Sequence, residues 1–174
     1  MTSDSANWYV VQVLTGNEVT MCRDINRLIP TNQYEHCFVP MAEHPVKRGG
    51  QWQKVEKPLF PGYFFVISQN IEAVHQSLWS ISQFKRILSA DGRFVPLTDE
   101  EVERFRALTD QAFNMTLSKG FIVGDQITVT EGPLKGQEGL IKKIDRHKRM
   151  AFIELLFLGK PTRVRVPLEI VDKR

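Results

Sequence analysis

The sequence has little of the chemistry that builds metal, redox or cross-linked sites. Its two cysteines, Cys22 and Cys37, stand 15 positions apart, with neither a CxxC pair nor a histidine cluster beside them. This spacing excludes the common zinc and dithiol motifs. We expect two small, buried or half-buried side chains in a reducing compartment, and neither a metal ion nor another cofactor.

Catalytic signatures are equally scarce. The sequence contains no P-loop, no Ser-His-Asp arrangement and no zinc spacing among its histidines, which are His36, His44, His75 and His147. Its densest carboxylate group, Asp99 to Glu103, stands where a helix is predicted to begin, and helix capping and the helix dipole account for it. We therefore predict that the protein is not an enzyme.

Long hydrophobic runs are missing as well. No apolar segment approaches the roughly 20 residues that cross a bilayer. Residues 1–6 are short and polar, and they lack the basic and apolar regions of a secretory signal. We expect a cytoplasmic protein that does not associate with membranes.

Charge is present in ordinary amount but is unevenly distributed. Residues 1–120 carry 12 Lys and Arg against 13 Asp and Glu, a net charge of −1, whereas residues 121–174 carry 11 against 7, a net charge of +4. A basic C-terminal third after a nearly neutral segment predicts two modules with different partners. The basic module is the candidate for nucleic-acid binding.

The first part of the sequence alternates between strand and helix patterns. Aromatic and β-branched runs predict strands at 7–14, 35–41, 59–67 and 84–88, and helical spacing predicts helices at 18–29, 70–79 and from Thr98 onwards. Thr98 and Glu101 have the spacing of a capping box. This order predicts an α+β domain, an antiparallel sheet with flanking helices, over residues 7–110.

A polar segment at 46–57 interrupts this alternation. Gly49 and Gly50 stand at its centre between two extended flanks, which is typical of a β-hairpin. We expect residues 42–57 to form an exposed, mobile finger. Its cations either contact nucleic acid or are simply solvated; they are Lys47, Arg48, Lys54 and Lys57.

The pattern changes after residues 111–120, a weakly periodic segment that we interpret as a linker. Strand patterns follow at 127–130, 139–144, 150–158 and 162–166, separated by glycine, proline and charged residues. About five short strands without a helix in a segment of this size predict a small barrel. Residues 121–174 are therefore predicted to form an all-β barrel.

Two motifs resemble a known family. Near the N-terminus Trp8-Tyr9-Val10-Val11 and Thr15-Gly16 precede Phe60-Pro61-Gly62-Tyr63-Phe64-Phe65. This combination is similar to the N-terminal (NGN) domain of NusG-type transcription elongation factors.

A second motif lies later in the sequence, where Val123-Gly124-Asp125 precedes Gly132-Pro133, Gly136, Gly139 and Ile141. That run resembles the KOW motif, which opens the SH3-like barrel of the same family. The resemblance covers residues 7–174 and implies an NGN domain at 7–110, a linker at 111–120 and a KOW domain at 121–174.

The resemblance also implies a binding surface for bacterial RNA polymerase. In the family, a hydrophobic patch of the NGN domain grips the clamp helices of the polymerase's largest subunit. Matched to the motif, this patch contains Tyr9, Phe60, Pro61, Tyr63 and Phe65. Because side chains alternate along a strand, we expect Phe64 in the core and Tyr63 and Phe65 on an exposed opposite face. Trp8 is assigned to the core.

Basic residues cluster around one predicted turn of the barrel and on the strands that follow. They are Lys142, Lys143, Arg146, His147, Lys148, Arg149, Arg163 and Arg165. A patch of this size indicates phosphate binding. The barrel has neither Tyr nor Trp to stack on splayed bases, which favours structured RNA over an unstructured strand.

Three functions remain open. The basic barrel resembles that of the LoaP group, which are antiterminators whose barrel recognises structured RNA. This resemblance implies that the partners are RNA polymerase and structured nascent RNA. DNA in the transcription bubble is a further candidate partner. A general NusG would instead dock a termination factor or a ribosomal protein, here through Phe157 and Leu158. A ribosome-associated RNA-binding module is the third. We expect a monomer.

Overall fold

A computed structural model describes residues 5–83 and 85–173 of the chain. In chain order the elements are β1 (Asn7–Val13), α1 (Glu18–Leu28), β2 (His36–Phe38), β3 (Met41–Arg48), β4 (Gln51–Pro58), β5 (Tyr63–Ser68), α2 (Ile71–Leu78), β6 (Lys85–Ile87), β7 (Ser89–Ala90), β8 (Arg93–Phe94), α3 (Asp99–Leu108), β9 (Asn114–Met115), β10 (Ser118–Val123), β11 (Gln126–Glu131), a short 3-10 helix (Glu138–Leu140), β12 (Ile141–Asp145), β13 (Met150–Phe157) and β14 (Lys160–Lys173). Phe84, the predicted first residue of a strand, lies outside the described residues.

The chain forms two compact units. Of the described residues, the first unit contains those up to Pro40 and those in Phe60–Val102, and the second contains Met41–Leu59 and those from Glu103 to Lys173. The hairpin of β3 and β4 therefore groups with the barrel, whereas the sequence places it in the NGN domain. The predicted domain limits themselves stay a prediction.

The first unit is built on an antiparallel sheet with the strand order β2-β5-β1-β6. Apolar side chains of α1 and α2 pack against one face of this sheet, among them Met21, Ile25, Val74 and Leu78. The predicted capping box is confirmed at the start of α3, where the Glu101 N–H donates to the Thr98 hydroxyl at 3.2 Å and the Thr98 N–H donates to the Glu101 carboxylate at 2.9 Å. The predicted α+β fold is confirmed.

The second unit contains a five-stranded sheet with the order β11-β10-β14-β13-β12. The long strand β14 pairs antiparallel with β13 and parallel with β10, so that it joins both halves of the sheet. Its inward side chains, such as Val164 and Val166, are buried, and the all-β character predicted for the barrel is confirmed. The predicted linker contains β9 and the start of β10, and β14 extends beyond the predicted end at residue 166.

The predicted hairpin is confirmed, with Gly49 and Gly50 at its turn and eight residue pairs from Met41↔Pro58 to Arg48↔Gln51. Its outer half is mostly exposed. At its base, however, Ala42, which pairs with Met115 of β9, is fully buried, and His44 is 8% exposed. The prediction of an exposed finger is therefore wrong for the base of the hairpin.

Candidate functional site

The aromatic strand β5 is buried on both faces. Phe64 lies opposite Val11 of β1 and faces the helices, and Phe65 lies opposite Val10 and faces the other way. Phe65 is nevertheless only 1% exposed. The expectation of an exposed face opposite Phe64 is wrong at this residue, because the second face of the sheet has an aromatic core of its own.

That second core is formed by Trp8, Phe38, Phe60 and Phe65. The ring of Phe65 lies 6.0 Å from Trp8, 5.6 Å from Phe38 and 6.0 Å from Phe60, measured between ring centroids. Phe60 is 6% exposed and Trp8 is 4% exposed. The assignment of Trp8 to the core is confirmed, and Phe60, which the resemblance assigns to the polymerase-binding patch, is buried in this core.

Tyr9 lies on the helix-facing side of the same sheet. It pairs with Val66 in the β1–β5 register and belongs to the core that α1 and α2 cover. Tyr63 is on the opposite side of the sheet. It lies two positions before Phe65 on β5, and side chains two positions apart on a strand share a face. Tyr9 and Tyr63 therefore do not share a surface, and an interface that includes Tyr63 does not include the ring of Tyr9.

Two of the five predicted patch residues reach the surface. Pro61 is exposed, and Tyr63 is half-buried at the start of β5. They flank Gly62, which has a φ of +88°, a backbone conformation that favours glycine. The sharp turn before β5 thus presents Pro61 and Tyr63 beside each other.

Glu18 holds this turn in place, which the sequence interpretation missed. Its side chain is 2% exposed, and its two carboxylate oxygens accept hydrogen bonds from the Gly62 N–H at 2.6 Å and the Gly16 N–H at 2.9 Å. From sequence alone, an acid in the first turn of a helix is fully accounted for by the helix dipole. The structure shows that it also connects α1 to the turn that carries Pro61.

Three of the basic residues of the barrel lie on one face of its sheet, namely Lys143, Arg163 and Arg165. Lys143 of β12 and Arg165 of β14 both pair with Phe152 of β13, so the three side chains form a row across neighbouring strands. Lys143 and Arg165 are exposed, and Phe152 is half-buried between them. Arg163 lies two positions from Arg165 on the same outward face.

The turn between β12 and β13 carries further exposed basic side chains. Arg146, His147 and Lys148 are exposed there, and the Lys148 N–H donates to the Asp145 carboxylate at 3.1 Å. Lys142 is exposed as well, at a bulge in β12. Seven of the eight predicted phosphate-binding residues are therefore exposed, on β12, its turn and β14.

Arg149 differs from the other seven. Its guanidinium carbon lies 4.2 Å from the ring centroid of Trp52 in β4, and its Nη1 lies 3.3 Å from a carboxylate oxygen of Glu169. The side chain is only 30% exposed. Arg149 thus fastens the β3–β4 hairpin to the barrel, a role that the local sequence pattern does not indicate.

His44 lies at the base of the hairpin, in a positively charged environment. Its Nε2 atom is buried and has no hydrogen-bond partner among the described residues. Burial, together with the nearby positive charges of Arg165 and Lys57, lowers the pKa of His44 to about 4. His44 is therefore neutral near pH 7.

A shallow groove of about 210 Å³ also lies on the second unit. Leu140, Leu155, Leu156 and Pro161 supply its apolar surface, and Arg104, Lys142 and Glu154 supply its charges. Leu156 is 44% exposed, whereas Phe157 and Leu158 are half-buried. The exposed apolar surface at this groove thus includes Leu156 and Pro161 in addition to the predicted pair.

Neither a metal site nor a membrane-spanning helix is found in the described parts of the chain. Residues 5–83 and 85–173 contain no group of three or more His, Cys, Asp or Glu side chains that could hold a metal ion. Across the same ranges, every helix is too short or too polar to cross a bilayer.

Two family models match the chain. Residues 6–106 match the family model described as "Transcription termination factor nusG", and residues 123–155 match the KOW motif. The chain is 27% identical over 180 residues to the transcription termination/antitermination protein NusG of Buchnera aphidicola, with 98% of each chain covered. It is also 27% identical to the NusG of Escherichia coli K12, with 95% of each covered.

A solved structure that describes domain interaction in Thermotoga maritima NusG has a similar fold. The TM-score is 0.55 and the sequence identity 21%, and the match covers 95% of this chain and 94% of the other. This likeness is one of fold.

Proposed function

Because the chain belongs to the NusG family of transcription termination and antitermination factors, we propose that it binds bacterial RNA polymerase through its NGN domain and structured nascent RNA through its KOW barrel. In this role it lets transcription continue past termination signals, in the cytoplasm and without catalysing a reaction. RNA binding is supported by one observation in particular. Lys143, Phe152 and Arg165 form an outward-facing row across three strands, next to an exposed basic turn.

The polymerase contact is proposed for the turn before β5. Pro61 is exposed and Tyr63 is half-buried beside it, and aromatic side chains frequently dominate interface energies. Glu18 and the buried rings of Phe60 and Phe65 hold this turn in one conformation, which reduces the entropy lost on binding. We propose the clamp helices of the polymerase's largest subunit as the partner surface, with Tyr9 acting only as core support.

The RNA contact is proposed for the exposed cations of the barrel. Lys143 and Arg165 are two strands apart, a separation of roughly 10 Å, so they can contact phosphates at different positions of one RNA backbone. The exposed turn adds Arg146, His147 and Lys148, while Lys142 and Arg163 extend the patch on the two strands. Because the contacts are electrostatic, the affinity should fall steeply with salt.

Two binding sites in one chain allow the two proposed contacts to strengthen each other. When the NGN domain holds the polymerase, the barrel stays close to the emerging transcript, and the second contact becomes effectively intramolecular. A basic barrel face of this kind resembles the LoaP group of antiterminators more than a general NusG. The hairpin cations Lys47 and Arg48, both exposed, are the candidates for contact with bubble DNA.

The alternative within the family is a protein-binding barrel. The groove bordered by Leu156 and Pro161 supports this alternative, because exposed apolar residues on a small barrel favour docking of a protein partner. A ribosome-associated module is disfavoured, since the match to the NusG model extends over residues 6–106.

The test is a gel-shift titration of the full chain with a set of RNA hairpins and with an unstructured polyuridine of equal length. We expect hairpins to bind more tightly, with an affinity that falls as salt is raised. A Lys143→Ala/Arg146→Ala/Arg165→Ala variant should lose affinity for all hairpins and lower the salt slope by about 3, one for each lost phosphate contact.

The matched control removes three exposed cations from the first unit, as Arg23→Ala/Arg27→Ala/Arg93→Ala. It has the same net charge as the barrel variant, so a general loss of charge would weaken both equally. If both variants bind hairpins like the wild type, the RNA-binding proposal fails and the protein-binding barrel replaces it.

A further inference from the structure

The two cysteines meet in the core of the first unit, although they are distant in sequence. Cys22 lies on α1 and Cys37 on the sheet-edge strand β2, and their sulfur atoms are 3.3 Å apart. Both belong to the apolar core, with exposures of 7% for Cys22 and 2% for Cys37. The expectation of two small buried side chains is met, but the pairing was not predicted.

The surroundings hold these two elements together. The Asn26 side-chain amide donates to the Cys37 carbonyl at 3.2 Å and to the Cys22 sulfur at 3.7 Å. Its carbonyl oxygen accepts from the Tyr34 hydroxyl at 3.1 Å. One helix side chain thus bridges both cysteine residues and fixes the distance between α1 and β2.

We propose that Cys22 and Cys37 form an oxidation site, at which a hydroperoxide converts the two thiols into a disulfide bond between α1 and β2. A disulfide requires the sulfurs to approach from their contact distance by only about 1.2 Å. The existing contact places each thiol within reach of the other.

The two thiols have different parts in the reaction. The hydrogen bond from Cys37 lowers the pKa of Cys22, whereas burial raises the pKa of Cys37. Cys22 is also the more exposed of the two. Cys22 is therefore the residue that a small oxidant meets first, and Cys37 is the resolving thiol.

The oxidation takes place in two steps. The Cys22 thiol releases its proton, the thiolate attacks one oxygen of hydrogen peroxide, and the O–O bond breaks. The products are Cys22 sulfenic acid and a hydroxide, which takes up the released proton to become the first water. The Cys37 sulfur then attacks the Cys22 sulfur, the S–O bond breaks, and the Cys37 proton leaves with the hydroxyl group as water. Overall, two thiols are oxidised, and one peroxide is reduced to two waters.

The test is peroxide treatment of the folded full chain, followed by denaturation, alkylation of free thiols and intact-mass measurement. We expect the wild type to lose two hydrogen atoms and both alkylation sites, and to regain them after dithiothreitol. The oxidised chain should also melt higher, by roughly 5 °C, because the disulfide restricts the unfolded chain.

Single variants distinguish the roles of the two cysteines. Cys37→Ser should accumulate a sulfenic acid on Cys22 that dimedone traps, and Cys22→Ser should leave Cys37 largely unmodified. Retention of both free thiols in the wild type, while peroxide oxidises a free cysteine peptide in the same tube, would overturn the proposal. Disulfides found only between chains would overturn it as well. These measurements need neither polymerase nor RNA, so their outcome is independent of the proposed function.

Discussion

The guanidinium of Arg149 lies over the ring of Trp52, with 4.2 Å between the guanidinium carbon and the ring centroid. The two residues come from the barrel and from the β3–β4 hairpin, which group in the same compact unit. Arg149 also forms an ion pair with Glu169 of β14. A residue predicted to bind RNA is thus engaged in intramolecular contacts.

Arg149→Ala should therefore lower stability rather than RNA affinity. Loss of the cation–π contact and of the partly exposed ion pair should reduce the free energy of unfolding by about 1–2 kcal/mol. Urea unfolding measures this effect, and Lys148→Ala, which removes the neighbouring exposed cation, is the control. A variant that retains wild-type stability but loses RNA binding would show that the side chain leaves Trp52 to bind RNA.

Tyr9 and Tyr63 should respond differently to truncation, because they lie on opposite faces of one sheet. Tyr9→Ala opens a cavity in the core and should cost about 3 kcal/mol or more of stability. Tyr63→Ala should cost less stability and weaken binding to RNA polymerase by about 2 kcal/mol. Thermal unfolding and a polymerase pull-down measure the two effects, and an unchanged pull-down of Tyr63→Ala would rule out the proposed contact.

The sequence predicts the elements of the first unit well but not which of their faces are exposed. Alternation along β5 predicts one buried and one exposed face, yet Phe65 packs against Trp8 and Phe38 on the second face. The signal was the nearly continuous apolar run at 59–67, since strands buried on both faces do not alternate in polarity. Burial of the second face depends on residues distant in sequence, which periodicity cannot show.

Gly132 in the KOW motif should not tolerate a side chain. Its φ is +90°, and an added Cβ would lie 2.6 Å from the Ser118 Cα and 2.7 Å from the Leu117 carbonyl oxygen. Gly132→Ala should destabilise the barrel by more than about 3 kcal/mol, because backbone strain and a clash add. The control is Gly136→Ala, which has a φ of +78° but open space, and should cost about 1–2 kcal/mol. Equal losses in urea unfolding would contradict the close packing at Gly132.

His44 should make the stability of the second unit depend on pH. The pKa of His44 is lowered to about 4 in the folded chain, against an ordinary value of 6.5, so the unfolded chain takes up the proton first as pH falls. Its contribution to stability is therefore present above pH 6.5 and is lost between pH 6.5 and about 4. His44→Gln should flatten the curve in this window. Parallel curves for His44→Gln and wild type would contradict this assignment.

The second unit shows where local patterns stop being informative. The predicted hairpin and most strands of the barrel are present, because glycine pairs and β-branched runs act over a few residues. The start of β10, residues 118–120, falls in the predicted linker because the periodicity there is weak, and pairing with β11 and β14 stabilises the strand. Arg149 appeared to be one more surface cation because its partners, Trp52 and Glu169, are distant in sequence.

The most direct test compares binding to two stalled elongation complexes, one with a nascent RNA buried inside the polymerase and one with a longer RNA that forms an external hairpin. We expect the wild type to bind the second complex more tightly and to lose the difference after RNase treatment. The Lys143→Ala/Arg146→Ala/Arg165→Ala variant should bind both complexes equally, and Tyr63→Ala should bind both more weakly. Equal wild-type affinity for the two complexes would contradict simultaneous contact with polymerase and nascent RNA.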